Sequence, residues 1–404
     1  MSASTDSTEW LNRFVVVDPP RGEQAVRLSQ ALVDELGSPQ HHAPAVHIVG
    51  TAGKGSVAAR LTGRLVGADL RVATHQSPHV QDVRERFLLD GELPSWDEVT
   101  AAIDEIDAAL VSVRRAHGIA PTFFAVTAAL SWVLGRRHDA DVFVTEAGIG
   151  GRLDATSVLR RSDTLTVMTH IGLDHTEVLG STVGEIAREK AAVMQGRRHA
   201  ILGPQSSSVA SDVVQEMAAA HRVELQVIGD VPGDWQVHAD VVTDVAAEHL
   251  AELLGRPLPP AEPVALPGRM ERRVIGGRTV VLDGAHSPMK LAALAGSIDD
   301  QRPTLVIAAI NANKDLDGCG AELGRFGAPV ITVEFGGQVG PRSQSAAALA
   351  GAVRRFGGRA DEATSFDAAA AQAIAETAPG DTILVTGSFL ILSKLAEALA
   401  RASS

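Results

Sequence analysis

Gly50, Gly53, Lys54, Gly55 and Ser56 follow directly on the apolar run Ala45–Val49. The glycines allow backbone angles and close approaches that a side chain would block. Such a loop turns successive N–H groups towards an anion, and a helix from about Val57 adds the positive end of its dipole. Lys54 can then reach β- and γ-phosphates, and the Ser56 hydroxyl can sit on Mg2+. The expected nucleotide-binding set is Gly50, Thr51, Gly53, Lys54, Gly55, Ser56 and Val57. Gly55 separates the lysine from the hydroxyl residue, unlike the commonest phosphate loop. The plainer alternative is a glycine turn joining strand to helix.

A second group lies further along. Glu146 ends the apolar strand Asp141–Thr145 and precedes AGIGGRLDAT, so its carboxylate stands where a phosphate loop needs an Mg2+ ligand. Without that role it is a solvated strand end. The strand Thr164–Thr169 runs into HIGLDHTEV and brings Asp174, His175 and Thr176 to another strand end. Thr182 and Glu185 have capping-box spacing for a helix that contains Lys190. By residue type alone, a helical lysine is expected on the solvated surface. The strand Arg71–Thr74 ends in THQSPHV, rigidified by Pro78, and ligands of open parallel sheets collect at such ends.

Composition bounds the rest. A chain of 404 residues can hold two or three domains, and 45% hydrophobic with 21% charged residues is a globular balance. The formal net charge of -13 argues against nucleic acid or an anionic membrane as the main partner. Cys319 is the single cysteine, no basic-then-apolar leader occupies Met1–Arg13, and no run of about 18 apolar residues occurs. Cytoplasm is the expected compartment.

The elements that must position these residues alternate strand and helix. Met1–Thr8 reads as frayed, and Glu9–Leu36 as one amphipathic helix. Helices are expected at Val57–Leu65, Ser95–Ala116, from Pro121 to Leu134 and at Ser207–His221, with strands at Ala200–Leu202 and Glu224–Ile228. Pro257, Pro259, Pro260, Pro263 and Pro267 crowd a boundary, giving domains 1–262 and 263–404. Beyond it, Gly276-Gly277 joins the hairpin Arg272–Val274 to Thr279–Leu282. Strands Thr304–Ala309, Val330–Val333 and Thr382–Val385 alternate with helices near Met289–Ser297, Ser343–Arg354, Phe366–Thr377 and Leu390–Ala400. The fold class is α/β: a phosphate-loop ATPase domain with a mostly parallel central sheet, then a smaller Rossmann-like domain.

Taken together, GTAGKGS, SPH, VRER, EAGIGGRLDAT, IGLDHTEVLGSTVGEIAREKA, LPGR, LDGAHSP, Pro341-Arg342 and GSF, in this order, resemble the folylpolyglutamate synthase and dihydrofolate synthase family of the Mur ligase superfamily. The resemblance implies an ATP-dependent, ADP-forming ligase of folate-like, one-carbon metabolism with its active site between two domains. It would activate a small-molecule carboxylate as an acyl phosphate and join it to an amino acid, L-glutamate onto a folate or dihydropteroate. It implies two Mg2+ ions, held by Ser56, Glu146 and His175, and a Lys190 that becomes a carbamate supporting the metal site. Lys54, His175 and Lys190 would be catalytic, and Arg269, Asp283 and His286 would meet the ATP. Ser77, His79, Arg84, Arg152, Asp154 and Ser388 are the candidates for substrate, and the expected assembly is a monomer. Ala52, Ala125, Ser157, Ser287 and Asn313 depart from the family pattern, at positions that hydrogen-bond substrates or tie domains together. Two alternatives stay open: a ligase of specialised metabolism with a non-folate acid, and a non-catalytic nucleotide-binding paralogue.

Overall fold

The computed structural model describes residues 3–15, 19–298, 302–336 and 341–403. The chain divides into two compact units, Met1–Ala265 and Leu266–Ser404. In the first, the main elements are α1 (Ala3–Asn12), α2 (Gly22–Glu35), β1 (Ala45–Val49), α3 (Lys54–Gly67), β2 (Val72–His75), β3 (Phe87–Leu89), α4 (Trp96–His117) and α5 (Phe123–Arg137). They continue as β4 (Val142–Glu146), β5 (Leu165–Met168), α6 (Thr176–Leu179), α7 (Val183–Ala191), β6 (His199–Leu202), α8 (Ser208–His221), β7 (Glu224–Val227) and α9 (Trp235–Leu254).

The seven strands run in the order β3-β2-β4-β1-β5-β6-β7, so the phosphate-loop strand is central. Only β3 is antiparallel to its neighbour. Period-two side-chain alternation divides the faces. Val46, Ile48, Val144 and Val167 pack against Leu61 of α3 and Val242 of α9, while Ala45, Ala73 and Phe143 join a core with α2, α4 and α5. Helix α5 is apolar on nearly every side because it is buried from Ala125 to Gly135. Its Trp132 is fully buried and donates Nε1–H to Thr145 Oγ1 at 3.3 Å. Truncating it to alanine would cost about 3–5 kcal/mol.

The N-terminal stretch differs from the sequence pattern. Instead of a frayed Met1–Thr8 and one helix over Glu9–Leu36, α1 begins at Ala3 and α2 at Gly22. Pro19 and Pro20 precede α2 and cannot extend a helix through its interior. Helix α1 is tied to α4 by Ser7 Oγ and Thr100 Oγ1 at 3.1 Å and by Trp10 Nε1–H on Asp107 Oδ1 at 2.9 Å. Residues 1, 2 and 16–18 of those stretches lie outside the described residues. Helix α9 and strand β3 were not foreseen. Asp234 caps α9 by accepting from Gln236 and Val237 N–H.

The second unit holds β8 (Glu271–Ile275), β9 (Arg278–Leu282), α10 (Pro288–Ser297), β10 (Leu305–Ala308), α11 (Leu316–Arg325) and β11 (Val330–Thr332). There follow α12 (Ala346–Arg355), β12 (Ala360–Glu362), α13 (Phe366–Glu376), β13 (Thr382–Thr386) and α14 (Phe389–Ala402). Strand order is β12-β11-β10-β13-β9-β8, parallel except for the β8–β9 hairpin. Gly276 and Gly277 take φ of 55° and 75° at its turn, the left-handed region that glycine enters without penalty.

Candidate active site

The phosphate loop is built around Gly50. At φ 152°, a Cβ there would come within 1.9 Å of Thr169 Oγ1, so only glycine fits against β5. The loop leans on the segment after β5, with Thr51 N–H donating to His170 O at 2.7 Å and Thr51 Oγ1–H to Gly172 O at 3.0 Å. Two ammonium groups meet on its first carbonyl. Lys54 Nζ lies 3.2 Å and Lys190 Nζ 2.9 Å from Gly50 O.

Lys190 is therefore not the solvated helical lysine expected from its residue type; it is 3% exposed. The cause is the glycine loop after β4. A Cβ on Gly151 would stand 2.8 Å from Lys190 Cα, so the loop lies directly on the α7 backbone. Leu153 N–H donates to Glu189 Oε1 at 2.8 Å and Arg152 N–H to Glu189 O at 3.0 Å. The Thr182/Glu185 capping box starts α7 at the phase that turns Lys190 inward.

Glu146 is paired in register with Ile48 and is 3% exposed. Its Oε1 lies 3.9 Å from Lys54 Nζ, and its Oε2 accepts from Ser77 N–H at 3.2 Å. His175 stands at φ 51° before α6, its ring 3.9 Å from both Asp174 and Glu177 carboxylates. Among the described residues, no group of three or more His, Cys, Asp or Glu gathers as a metal cage. Ser56, Glu146 and His175 thus do not close a site by themselves. The buried Glu146 oxygens suit a hard cation whose shell is completed by phosphate oxygens and water.

The substrate candidates separate. Arg84 is held by Asp82 at 2.7 Å and Pro94 O at 3.0 Å and stacks over Trp96, so its guanidinium is already engaged. Arg86, which motif reading passed over, turns inward. It is 8% exposed, donates Nε–H to His79 Nδ1 at 2.7 Å and lies over the Phe123 ring. Burial pulls its guanidinium down to about 10, against the attraction of Glu146 and Glu85. Burial, with Arg86 adding to it, pulls His79 down to about 4. Its Nδ1 is thus a neutral acceptor. The clue was position: Arg86 directly precedes the buried Phe87–Leu89 strand.

Phe124 packs against Gly148, whose Cβ would meet the ring at 2.7 Å, and against His75 at 5.3 Å between centroids. Asp154 is buried and accepts from Ile149 and Thr156 N–H, both at 2.9 Å, with Thr156 Oγ1 2.8 Å from His47 Nε2. Burial pushes its carboxyl up. Asp154 therefore braces the loop. Arg152 is half exposed and pairs with Glu23 and Glu189 at 3.7 and 3.3 Å. Ala125 is 1% exposed, and the buried Ser157 and Ser287 hydroxyls have no hydrogen-bond partner among the described residues.

Beside the loop lies a cavity of about 290 Å3, counting its open mouth, lined by Ala52, Gly53, Val57, His170, Trp235 and His238, among others. His170 and Trp235 rings meet edge to face at 4.9 Å. Flat apolar walls next to a phosphate loop suit a nucleobase. Without α9 in the sequence pattern, Trp235 and His238 carried no signal.

In the second unit, Asp283 accepts from Met270 N–H at 2.9 Å and Ala285 N–H at 2.8 Å, and burial pushes its carboxyl up. His286 Nδ1–H donates to Gly284 O at 2.7 Å, so its Nε2 accepts from Lys290 Nζ at 3.1 Å. Arg269 stacks over Phe389, and Ser388 Oγ–H donates to Asn311 Oδ1 at 3.0 Å.

Residues 268–389 match the family model of the Mur ligase glutamate ligase domain. The chain is 33% identical, over 90% of its length, to a Halobacterium salinarum protein described as a probable bifunctional folylpolyglutamate synthase/dihydropteroate synthase. It spans only about half of that relative, 48%. It is 31% identical to the dihydrofolate synthase/folylpolyglutamate synthase of Escherichia coli, covering 87% of this chain and 86% of that one. The structure of Mycobacterium tuberculosis folylpolyglutamate synthase complexed with ADP superposes with a TM-score of 0.81 at 26% identity, covering 98% of each chain. With nearly the whole length of the E. coli enzyme matched and the same two-unit α/β architecture, the chain belongs to the folylpolyglutamate synthase/dihydrofolate synthase family.

Proposed function

We propose that this chain is an ATP-dependent ligase that turns a substrate carboxylate into an acyl phosphate and joins it to an amino acid. The leading pair is a folate or dihydropteroate acid and L-glutamate. What carries the reading is the meeting of Lys54 and Lys190 on the Gly50 carbonyl, with Glu146 3.9 Å from Lys54. Two lysines converging on one loop, in a chain of net charge -13, suit a polyphosphate.

The carboxylate oxygen attacks the γ-phosphorus, and the bond to the bridging oxygen breaks to release ADP. The amine nitrogen then attacks the acyl carbon, phosphate leaves with the bonding pair, and the amine gives up a proton. Lys54 and the N-terminus of α3 stabilise charge on the phosphates. Glu146, Ser56 and His175 would hold Mg2+, which when bound withdraws charge from the transferring phosphoryl group. The Lys190 ammonium would lose one proton to free its lone pair, add CO2 and lose a second proton to become a carbamate, which keeps one N–H for Gly50 O. The base occupies the Trp235 cavity. Arg86, rather than Arg84, serves the acid substrate beside Phe123 and Phe124.

A second reading, a non-folate acid, is favoured by Ala125, which puts no acidic side chain in the first turn of α5 beside Phe124. The test is mass spectrometry of products formed with ATP, Mg2+, L-glutamate and a panel of dihydropteroate, tetrahydrofolate and unrelated acids. A glutamylated pterin supports the folate reading, and an amide on another acid with pterins ignored supports the second. Absence of amine-dependent ADP release would leave a non-catalytic nucleotide-binding protein. Lys190→Ala should abolish turnover and keep ATP binding.

A further inference from the structure

Helix α9 presents two different faces near its start. Trp235, His238, Ala239 and Val242 recur at the i, i+3, i+4, i+7 spacing of one face and line the cavity. Gln236, Asp240 and Asp244 recur at i, i+4, i+8 and meet arginines of α3 instead. Arg60, 14% exposed, donates Nε–H to Asp240 Oδ1 at 2.5 Å, Nη2–H to Gln236 Oε1 at 2.6 Å and Nη1–H to the Ser56 carbonyl at 3.3 Å. One turn on, Arg64 pairs with Asp244. At the far end, Arg256 donates to Ala68 O at 2.6 Å, closing the C-terminus of α3.

We infer that Arg60 is a positioning residue for the nucleotide: its planar fork clamps the base-bearing turn of α9 to the first turn of α3 and so sets the distance between the base wall and the phosphate loop. Neither helix supplies that distance alone. The phosphate loop is anchored on β1 and β5, whereas Trp235 follows a loop that leaves β7 at the edge of the sheet. A buried apolar contact between α3 and α9 resists separation of the helices but permits sliding. A guanidinium with three directed partners fixes register. The inference rests on the nucleotide reading proposed above.

The test compares two ligands that share phosphates but not a base. Calorimetry of Arg60→Met, which keeps the apolar stem, should show ADP binding weakened about tenfold or more, with inorganic tripolyphosphate binding within about twofold of the unmodified protein. Arg60→Lys should recover only part of the ADP affinity because an ammonium group lacks the planar fork. Asp240→Asn in the Arg60→Met background should add little, since the partner has already gone. Equal losses for ADP and tripolyphosphate would overturn the inference and make Arg60 a general support of the fold. Unchanged ADP affinity would overturn it too, leaving nucleotide binding itself in place. Failure of the unmodified protein to bind ADP would overturn the nucleotide reading and this inference with it.

Discussion

The carboxyl ends of β1 and β9 are both glycine-containing turns carrying charge, and they are held in opposite ways. At β1 the charge is cationic, and its hydrogen bonds run to a carbonyl, Gly50 O, shared by two lysines. At β9 the charge is a carboxylate that folds back on N–H groups of its own neighbourhood, Met270 and Ala285. The first arrangement gathers two lysines and the Glu146 carboxylate at one loop, a set of charges that a phosphate and its cation can join. The second is already satisfied and fixes the shape of the turn that carries His286. A motif's charged residue can thus be read as ligand-facing or as bracing from the kind of atom it touches.

Breaking each turn should expose that difference. Lys54→Met should lower amine-dependent ADP release by about a thousandfold while leaving the urea midpoint nearly unchanged. Asp283→Asn should do the reverse in proportion. It would cost about 1–2 kcal/mol in urea unfolding, because an amide has one oxygen for two N–H donors, and about tenfold in turnover. If Asp283→Asn proved as inactive as Lys54→Met at full stability, the contrast would fail.

Arg84 and Arg86 sharpen the same contrast at shorter range. Arg86→Met should raise KM for the acid substrate about ten- to a hundredfold, since a charged hydrogen-bond donor is lost from a buried wall. Arg84→Met, with its partners Asp82 and Pro94, should change KM by no more than about twofold. Steady-state kinetics of both variants decides which arginine faces substrate.

The smallest effect expected is the response to acid. Burial holds His75 at about 3 in the folded protein against 6.5 when exposed, and lowers His47 well below the same value. The unfolded chain therefore binds more protons below pH 6.5, so stability of the first unit falls as pH drops from 6.5 towards 3. Each such histidine adds at most about 1.4 kcal/mol per pH unit. Asp283 has the opposite sign: its raised carboxyl keeps a proton that the unfolded chain would release, so acid favours the second unit there. Hydrogen exchange at pH 7 and 5 should show β1 amides losing protection before β9 amides, and His75→Phe should flatten the difference.

Legibility followed the strength of the local constraint. The phosphate loop stood out because its glycines answer to backbone geometry, with Gly50 pressed on Thr169. The capping box of α7 was equally plain. Yet whether Lys190 pointed inward depended on Gly151 lying against α7 from 39 residues away in sequence, a tertiary contact that no helical pattern contains. Arg86 and Arg84 have the same residue type and nearly the same neighbours, and the fold alone divides them. Helix α9 escaped notice because its alanines and acidic residues give a weak stripe, and the cavity lined by Trp235 went unread with it.

The aromatic inventory gives that cavity a practical consequence. The chain has no tyrosine, and its four tryptophans, Trp10, Trp96, Trp132 and Trp235, all fall in the first unit. Near-ultraviolet emission therefore reports on that unit alone. Of the four, Trp235 lines the cavity with His170 against its ring. A purine stacking there, as proposed for the nucleotide, would quench it and give an optical gauge of base occupancy.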